Sequence, residues 1–326
     1  MRNRPFLLKP AAKDYLWGGT RLNDDFNFNI NIHPFAEAWV CSTHSDGESV
    51  TDNGETLSEI LKAHPEYLGS HAEAVAGGEF PILVKLIDAK EDLSLQVHPD
   101  DEYARINENG SLGKNEMWYV IDAKPHSSLV YGFRRNVEAE EVRAAINNGR
   151  LKKMLNHVKV KPNDLFFIDA GTVHAIGSGC LIAEIQENSN LTYRLYDYER
   201  RDKNGNQRAL HIDKALEVAK LSSSASPRQP MRVLRYRKGC ADELLCRCKY
   251  FQVSRLLINA LDGISTAFQT ESNSFHVLLC IEGNGRLSSD DEAINLDYVK
   301  GDCIFVPADS IKLKLCGRAQ ILDISC

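Results

Sequence analysis

Three polar side chains alternate with apolar ones in the run LSLQVHPD at residues 93–100. Because successive side chains of a β-strand point to opposite faces, Ser94, Gln96 and His98 would share one face, while Leu95 and Val97 would enter the opposite layer. A solvent-exposed edge strand would show the same pattern. The alternation alone therefore leaves a polar site and an exposed strand face equally supported.

Two further segments favour a site. The run KNEMWYVI at 114–121 places Lys114 and Glu116 at the start of an otherwise apolar strand, where an unpaired buried charge would be costly. The run AGTVHAIG at 170–177 places His174 just after a turn, between apolar neighbours. Taken alone, such a histidine is more commonly a hydrogen-bonded core residue than a ligand.

Together, these segments supply nitrogen and oxygen ligands from Gln96, His98, Glu116 and His174. Such a set suits zinc, iron, manganese or cobalt, and it needs no thiolate. Two ligands from one strand, one from the next and one from a returning strand can meet in the mouth of a small β-barrel. We therefore predict a metal site with one or two positions open for water or substrate.

The elements that must position these residues are predicted to be mainly β. Short apolar or alternating runs bounded by Gly, Pro, Asn and Asp predict strands at 80–86, 93–98, 117–121, 165–168, 181–186 and 192–196. Helical spacing appears at 56–63, at about 136–158 with a break near 147–149, and at about 211–221. We expect these helices to be additions to a β core.

Small polar residues and proline at 222–227 predict a linker, with a domain boundary near residue 228. Beyond it, strands are predicted at 251–258, 275–281, 303–306 and 320–324. The chain would therefore divide into a metal-binding domain, residues 1–228, and a purely β domain without metal, residues 229–326.

A weak internal repeat agrees with this division. The run DLFFIDAGT at 164–172 aligns with DCIFVPADS at 302–310, and each reads as a turn, an apolar strand and a second turn. The repeat places Lys312 opposite His174 and His276 opposite Glu116, with no second ligand near His276. We predict that only the first copy holds a metal and that His276 is structural.

Composition and charge argue against several classes of protein. The 326 residues are 43% hydrophobic and 26% charged, as in an ordinary globular chain. The formal net charge of -6 argues against broad electrostatic capture of nucleic acid or an anionic membrane. The sequence lacks both the roughly 20 consecutive apolar residues of a membrane helix and a recognisable secretion signal. We expect a cytoplasmic chain with no nucleic-acid, membrane or obligate protein partner.

Several longer runs, taken in order, resemble those of the type I phosphomannose isomerases. They are WGG at 17–19, EAW at 37–39, FPILVKLID at 80–88, QVHPDD at 96–101, GKNEMWY at 113–119, AGTVHA at 170–175 and TYRLYDY at 192–198. The resemblance extends from about residue 5 to residue 326 and fits the short bacterial form. It implies two cupin-type (jelly-roll) β-barrels, with helical insertions in the N-terminal half and a C-terminal cupin without metal.

The resemblance also implies site residues. The zinc ligands of the family fall on the four residues already grouped by strand spacing: Gln96, His98, Glu116 and His174. The active-site arginine of the family falls on Arg194, which would otherwise be read as a surface cation paired with Asp197. Further pocket positions of the family fall on Lys85, Ser94 and Lys114.

Glu184 is a further candidate. It shares a strand face with Gln186 and lies ten residues before Arg194, which predicts a position across a hairpin from that arginine. The sequence departs from many relatives at NSNL, residues 188–191, where a Ser-Asp pair is replaced and a carboxylate is lost.

The implied reaction interconverts mannose 6-phosphate and fructose 6-phosphate through an enediol. It needs a base, charge stabilisation at two oxygens and an anchor for the phosphate. One zinc ion per chain would serve as Lewis acid or template, while Arg194 and the lysines offset negative charge. Lys114, Glu184 and a hydroxide on the metal all remain candidates for the base.

Two alternatives stay open. A metal cupin could bind a sugar phosphate without turning it over. A cupin with two histidines and one carboxylate could also hold non-haem iron and act as an oxygenase. Gln96 as a fourth ligand, with Lys114 and Arg194 nearby, counts against the oxygenase. Formation of fructose 6-phosphate would exclude the non-catalytic alternative.

Overall fold

The computed structural model describes residues 3–26, 28–202, 204–225, 227, 229–291 and 293–326. Twenty strands, seven α-helices and one short 3-10 helix lie within these ranges, so the predicted mainly β framework is confirmed. None of the helices in these ranges is long and apolar enough to cross a membrane. The predicted boundary at Arg228 lies outside the described residues, and the division of the chain there stays a prediction.

Twelve strands lie in the first two thirds of the chain. They are β1 (Phe6–Leu8), β2 (Ala11–Lys13), β3 (Glu37–Cys41), β4 (Ile82–Ala89), β5 (Leu95–Val97), β6 (Glu116–Ala123), β7 (Ser128–Phe133), β8 (Leu155–Lys159), β9 (Leu165–Ile168), β10 (His174–Ile176), β11 (Cys180–Glu187) and β12 (Tyr193–Tyr196). Eleven of them form two antiparallel sheets. The six-stranded sheet has the order β2-β3-β4-β11-β6-β9, and the five-stranded sheet has the order β12-β5-β10-β7-β8.

Helices occupy the connections between these strands. They are α1 (Arg21–Asp24), α2 (Leu57–Ala63), a 3-10 helix (Pro65–Tyr67), α3 (Ser70–Ala76), α4 (Asp101–Asn107), α5 (Ala139–Asn147), α6 (Leu151–Met154) and α7 (Ile212–Val218). The predicted helix at 56–63 is present, and Thr56 and Glu59 form a capping box at its start. The helix predicted at about 211–221 is also present, but it ends at Val218.

The helical insertion predicted at about 136–158 is too long. Helical structure ends at Met154, and the next five residues form strand β8, which pairs with β7. Leu151, Leu155 and Val158 keep helical spacing, but Leu155 and Val158 instead lie opposite Phe133 and Leu129 in the sheet. Strand β7 was not predicted from the sequence, and so the pairing that draws this segment into the sheet was missed as well.

Among the described residues of the last third of the chain, every regular element is a strand. This third contains β13 (Arg235–Arg237), β14 (Cys240–Arg247), β15 (Gln252–Ala260), β16 (Thr266–Phe268), β17 (His276–Ser289), β18 (Asn295–Val299), β19 (Cys303–Val306) and β20 (Leu313–Ser325). These strands form a nine-stranded sheet together with β1, which pairs with β19. The N-terminal strand therefore ties the start of the chain to its final third.

The six-stranded sheet has two different faces. Val84, Tyr119 and Ala183 point to one side and pack in a common core with Val277 and Leu322 of the nine-stranded sheet. The alternate residues point the other way, towards the five-stranded sheet. On that second face lie the polar side chains of the candidate site.

Candidate metal centre and pocket

Three buried side chains converge between the six-stranded and five-stranded sheets. The potential ligand atoms of His98, Glu116 and His174 all lie within 4.8 Å of one another, and each side chain is at most 1% exposed. His98 follows the end of β5, while Glu116 and His174 begin β6 and β10. Because β10 pairs directly with β5 and places His174 opposite Gln96, both histidines come to the same end of the pocket.

The hydrogen bonds of the two histidines fix which nitrogen faces the cluster. His98 Nδ1 lies 2.6 Å from the carbonyl oxygen of Leu191, and His174 Nδ1 lies 2.8 Å from that of Thr172. Because a carbonyl oxygen can only accept, Nδ1 carries the proton in each ring, and Nε2 of the neutral ring presents a lone pair.

Those lone pairs face a carboxylate. The Nε2 atoms of His98 and His174 lie 3.1 Å and 3.8 Å from the two carboxylate oxygens of Glu116. Among the described residues, His98 Nε2 and Glu116 Oε2 have no hydrogen-bond partner. Buried acceptors that face one another repel unless a cation lies between them, so this arrangement fits a metal ion.

The protonation states also suit metal binding, which needs neutral imidazole and ionised carboxylate. Burial and the Lys114 ammonium lower the pKa of His98 to about 3. Burial opposes ionisation of Glu116, but the Lys114 ammonium favours it, and the pKa of that carboxyl is held well below its usual value. Burial also lowers the pKa of His174.

Lys114 is held beside the cluster by its backbone. Its Nζ lies 2.8 Å from Glu116 Oε1, and its amide donates to the carbonyl of Pro99. The preceding residue, Gly113, packs so closely against Asp100 and Asp101 that a Cβ there would lie 2.4 Å from their backbone. Only glycine permits this approach, which brings Lys114 into the pocket.

Asn115 braces the same segment from its other side. Its backbone amide and side-chain amide donate to Glu187 Oε1 at 2.8 Å and 2.7 Å. Its side-chain oxygen accepts from the amide of Ala170, in the turn that precedes His174. Asn115 therefore joins the strand that carries Glu116 to the turn that positions His174.

Lys85 and Glu184 form a second buried pair in the pocket. Lys85 Nζ lies 3.1 Å from Glu184 Oε1 and 3.8 Å from Glu37 Oε2, and Trp118 Nε1 donates to Glu184 Oε2 at 2.8 Å. Burial and the nearby Glu116 carboxylate raise the pKa of Glu184. Burial opposes the charge on Lys85, but Glu184 and Glu37 outweigh it and raise the pKa of the lysine.

Comparisons with known proteins point to one family. The sequence matches the family models for phosphomannose isomerase type I, catalytic domain, over residues 6–127, and mannose-6-phosphate isomerase, cupin domain, over residues 243–325. It is 38% identical to mannose-6-phosphate isomerase ManA of Bacillus subtilis, with 99% of both chains covered. It is 34% identical to mannose-6-phosphate isomerase of Streptococcus mutans, with 93% and 92% covered. The chain belongs to the type I phosphomannose isomerase family.

The fold agrees with this membership. The crystal structure of the mannose 6-phosphate isomerase from Bacillus subtilis matches with a TM-score of 0.89 at 36% identity, over 99% of both chains. Phosphomannose isomerase from Salmonella typhimurium matches at a TM-score of 0.76 and 19% identity, and this match shows the shared fold alone. The family model confirms a cupin domain in the last third of the chain, while the arrangement as two barrels stays a prediction.

Within this type I phosphomannose isomerase, the predicted ligands lie together. Gln96 is next to His174, with 3.4 Å between Gln96 Nε2 and His174 Nε2, and Ser94 Oγ donates to Gln96 Oε1 at 3.1 Å. The amide nitrogen of Gln96 therefore faces the histidine in this arrangement. Its oxygen would face the cluster if the amide were turned over, since the two ends of a glutamine amide are nearly equal in shape.

Arg194 and Glu184 both line the pocket, but the hairpin predicted between them is wrong. Arg194 pairs with Gln96 in the five-stranded sheet, whereas Glu184 pairs with Lys85 and Trp118 in the six-stranded sheet. The two side chains therefore approach the pocket from facing sheets. Ten residues can form either a hairpin or a crossing between sheets, and the sequence separation does not distinguish them.

The surface pairing of Arg194 with Asp197 that the sequence left open is not formed. Asp197 instead binds Arg200 and Arg208. Among the described residues Arg194 forms no ion pair within 4.0 Å, and its buried Nε lacks a hydrogen-bond partner. The altered turn at 188–191 nevertheless has side-chain hydrogen bonds of its own, since Asn190 donates to Asp46 and Ser189 to the carbonyl of Leu112.

Several pocket residues of this family member were not assigned from the sequence. Tyr15 and Glu37 lie on the pocket wall, and Glu37 Oε2 accepts from Trp39 Nε1 at 2.7 Å. Glu37 lies within EAW, a run that carries the family resemblance and that had no assigned role. Arg208 also lines the pocket, and no motif in the sequence singles it out.

Proposed function

We propose that this protein is a zinc-dependent isomerase that interconverts mannose 6-phosphate and fructose 6-phosphate through an enediol. The observation that carries the proposal is the buried cluster of facing acceptors at His98, Glu116 and His174. The cluster contacts Lys114 and Gln96, which line a pocket together with Arg194. A member of the type I phosphomannose isomerase family that has this cluster holds the groups that the reaction requires.

Four residues would hold the zinc ion: Gln96, His98, Glu116 and His174. Zinc bound there would act as a Lewis acid that polarises the carbonyl and hydroxyl oxygens of the sugar. We propose one ion per chain, since within the described part of the chain this is the only group of three or more His, Cys, Asp or Glu side chains close enough together to hold a metal.

Arg194 would stabilise the negative charge that develops on the reacting oxygens. It pairs with Gln96 in the sheet, so antiparallel pairing puts the two side chains on the same face, next to the cluster. Burial and the Arg208 guanidinium lower the pKa of Arg194, and a half-desolvated guanidinium without a carboxylate partner favours a bound anion.

Glu184 and Lys114 are the proposed proton-transferring groups. The reaction removes a proton from one of the two reacting carbons and returns a proton to the other. A base is most effective when its pKa lies near the working pH, and the raised pKa of Glu184 moves it in that direction. Lys114, paired with Glu116, could carry the proton between the two oxygens of the enediol.

Lys85 and Ser94 would complete the substrate pocket. Lys85 is held by two carboxylates, so its main contribution is to keep Glu184 in place and ionisable. Ser94 donates to Gln96. It lies two residues before Gln96, on the same face and further from the cluster. The small and polar pocket suits a sugar phosphate. We also propose that the protein acts in the cytoplasm.

A coupled assay that detects fructose 6-phosphate formed from mannose 6-phosphate tests the proposal. We expect turnover that is lost on treatment with a chelator and restored by zinc. Binding of mannose 6-phosphate without turnover, in protein loaded with zinc, would make this chain a non-catalytic sugar-phosphate binder and would overturn the proposal. Oxygen consumption by the iron-loaded protein would instead support the oxygenase.

A further inference from the structure

His211 bonds to the backbone of Arg194, although it is not among the described residues that line the pocket. We infer that His211 is a positioning residue, which holds the strand that carries Arg194 and thereby directs the guanidinium into the pocket. The inference rests on the proposed function, in which Arg194 stabilises charge on the reacting oxygens. In this role His211 acts through Arg194 and does not itself contact the substrate.

Arg194 lies on an edge strand. Strand β12 is the first in the order β12-β5-β10-β7-β8, so it has a paired strand on one side only. The register also shifts between Arg194 and Tyr196, which leaves Leu195 without an opposite residue in β5. The outer side of such a strand presents N–H and C=O groups that no neighbouring strand satisfies, and a bulge interrupts the pairing on the inner side. The position of Arg194 therefore depends on what lies along its outer side.

His211 supplies that outer contact through two hydrogen bonds. Its backbone amide donates to the carbonyl of Arg194 at 2.8 Å, and its Nδ1 accepts from the amide of Arg194 at 3.2 Å. One residue thus satisfies both backbone groups of Arg194, as a neighbouring strand would.

The contact through Nδ1 needs a neutral imidazole, because a protonated ring has a hydrogen on both nitrogens and accepts nothing. Burial, the Arg194 guanidinium and the Lys214 ammonium lower the pKa of His211, while Glu108 opposes them. The ring is therefore neutral at about pH 7, with its proton on Nε2 and a lone pair directed at the Arg194 amide.

Helix α7 holds His211 in place. His211 is the N-cap of this helix, and its carbonyl accepts from the amide of Ala215 at 2.8 Å. Ala215 and Leu216 are buried in the same core as Tyr193 and Leu195 of β12. The helix therefore packs against the strand that carries Arg194 and keeps His211 beside it.

The guanidinium of Arg194 has no comparable support. In the described part of the chain it forms no ion pair within 4.0 Å, and its buried Nε lacks a hydrogen-bond partner. Its direction is therefore set mainly at the backbone. A displacement of about 1 Å in a catalytic group can cost about 100-fold in rate, so loss of the His211 contact should affect turnover.

Steady-state kinetics test the inference. In His211→Ala we expect kcat to fall about 5- to 50-fold with zinc content intact and KM changed less, because a buried amide loses its acceptor. His211→Asn should restore kcat to within about threefold of the wild type, since Asn Oδ1 occupies the position of Nδ1 and accepts. His211→Gln places its oxygen one bond further out and should resemble the alanine variant.

The matched control is His157→Ala. His157 is an exposed histidine on β8, the opposite edge strand of the same sheet, and its Nε2 lies 3.1 Å from the carbonyl of Lys152. We expect this variant to keep the kcat and KM of the wild type, because its contact does not involve Arg194.

A double-mutant cycle shows whether His211 acts through Arg194. In the Arg194→Ala background, His211→Ala should lower kcat by less than about twofold, because there is no guanidinium left to position. An equal fall in both backgrounds would overturn the inference, as would wild-type kcat in folded His211→Ala. If the alanine variant fails to fold, equal kcat in His211→Asn and His211→Gln would overturn it.

Exchange of the Arg194 amide hydrogen with solvent, followed by NMR, tests the contact without turnover. It should be slow in the wild type and His211→Asn, and at least about 10-fold faster in His211→Ala and His211→Gln. A wild type without turnover would overturn the proposed function, while these exchange rates would still decide whether His211 holds Arg194. Equal exchange in all four proteins would overturn the inference.

Discussion

Corresponding strand positions hold different residues in the first half of the molecule, up to the predicted boundary near residue 228, and in the second half, which follows that boundary. In the first half, β6 begins at Glu116, which pairs with Ile168 of β9. In the second half, β17 begins at His276, which pairs with Val306 of β19. The sequence repeat aligned both pairs of positions, and the strand register agrees with that alignment.

The chemistry at these positions differs. His276 Nδ1 lies 2.6 Å from Asp323 Oδ1, so this imidazole has a counter-charge. Lys312 occupies the position that the repeat aligns with His174. In the first half, by contrast, Glu116 faces two imidazole lone pairs. The comparison teaches that strand position alone does not mark a candidate metal site, whereas buried acceptors that face one another do.

His98→Ala gives the largest expected effect, because it removes a ligand and leaves an incomplete shell. We expect bound zinc to be lost and kcat/KM to fall at least about 1000-fold, since a Lewis acid contributes several kcal/mol to catalysis. Metal analysis and the coupled assay measure the two quantities. Stoichiometric zinc with full turnover would show that the cluster is misassigned.

The matched control is His276→Ala in the second half. We expect its zinc content and turnover to equal those of the wild type, because His276 is bonded to Asp323 and lies outside the metal cluster. Loss of zinc from this variant would contradict the expectation that only the first half binds the metal.

Arg194→Ala should have the next largest effect. Loss of a group that stabilises charge in the transition state should lower kcat about 100- to 1000-fold with zinc content intact. Arg194→Lys should also be damaging, because lysine lacks the planar fork. Near wild-type kcat and KM in both variants would show that Arg194 has no part in the reaction.

Chelation should destabilise the wild type. Removal of a ligand present at about 100 times its dissociation constant costs about 2.7 kcal/mol, which corresponds to a fall of several degrees in Tm. Scanning calorimetry should show this fall in wild type and His276→Ala, and no response in His98→Ala. An equal response in all three proteins would locate the chelated metal elsewhere.

The smallest expected effect concerns the His276–Asp323 pair. Burial opposes the charge on His276, but Asp323 outweighs it and raises the pKa of the imidazole, with a further contribution from Glu271. A raised pKa adds stability that is fully present below the unfolded value of about 6.5 and is lost as pH rises through the folded value.

We therefore expect His276→Ala to lose about 1 kcal/mol more in unfolding free energy at about pH 5.5 than at about pH 9. Urea unfolding of wild type and variant at both pH values measures the difference. A loss that is the same at both would mean that the charge of His276 does not contribute to stability.

Short-range patterns allowed much of the site to be predicted. The alternation along β5 predicted that Gln96 and His98 share one face. Leu95 and Val97 point to the other face and lie in the core. The charged start of β6 and the turn before His174 completed the ligand group. These features depend on the period of a strand, which the sequence carries locally.

Features that depend on distant pairing were not predicted. The segment 155–159 kept helical spacing, but it became a strand because β7 offered a partner. Glu184 and Arg194 lie on different sheets because their strands pair with β4 and β5. Arg208 reaches the pocket only because the chain folds back onto Asp197.

The central claim is that one metal ion, in the first half only, supports isomerisation. Its most direct test is the turnover of mannose 6-phosphate by chelator-treated wild type during titration with zinc. Turnover should rise linearly and reach its maximum at one equivalent per chain. A maximum that is reached only at two equivalents, or turnover that persists without added zinc in protein shown to be metal-free, would contradict the claim.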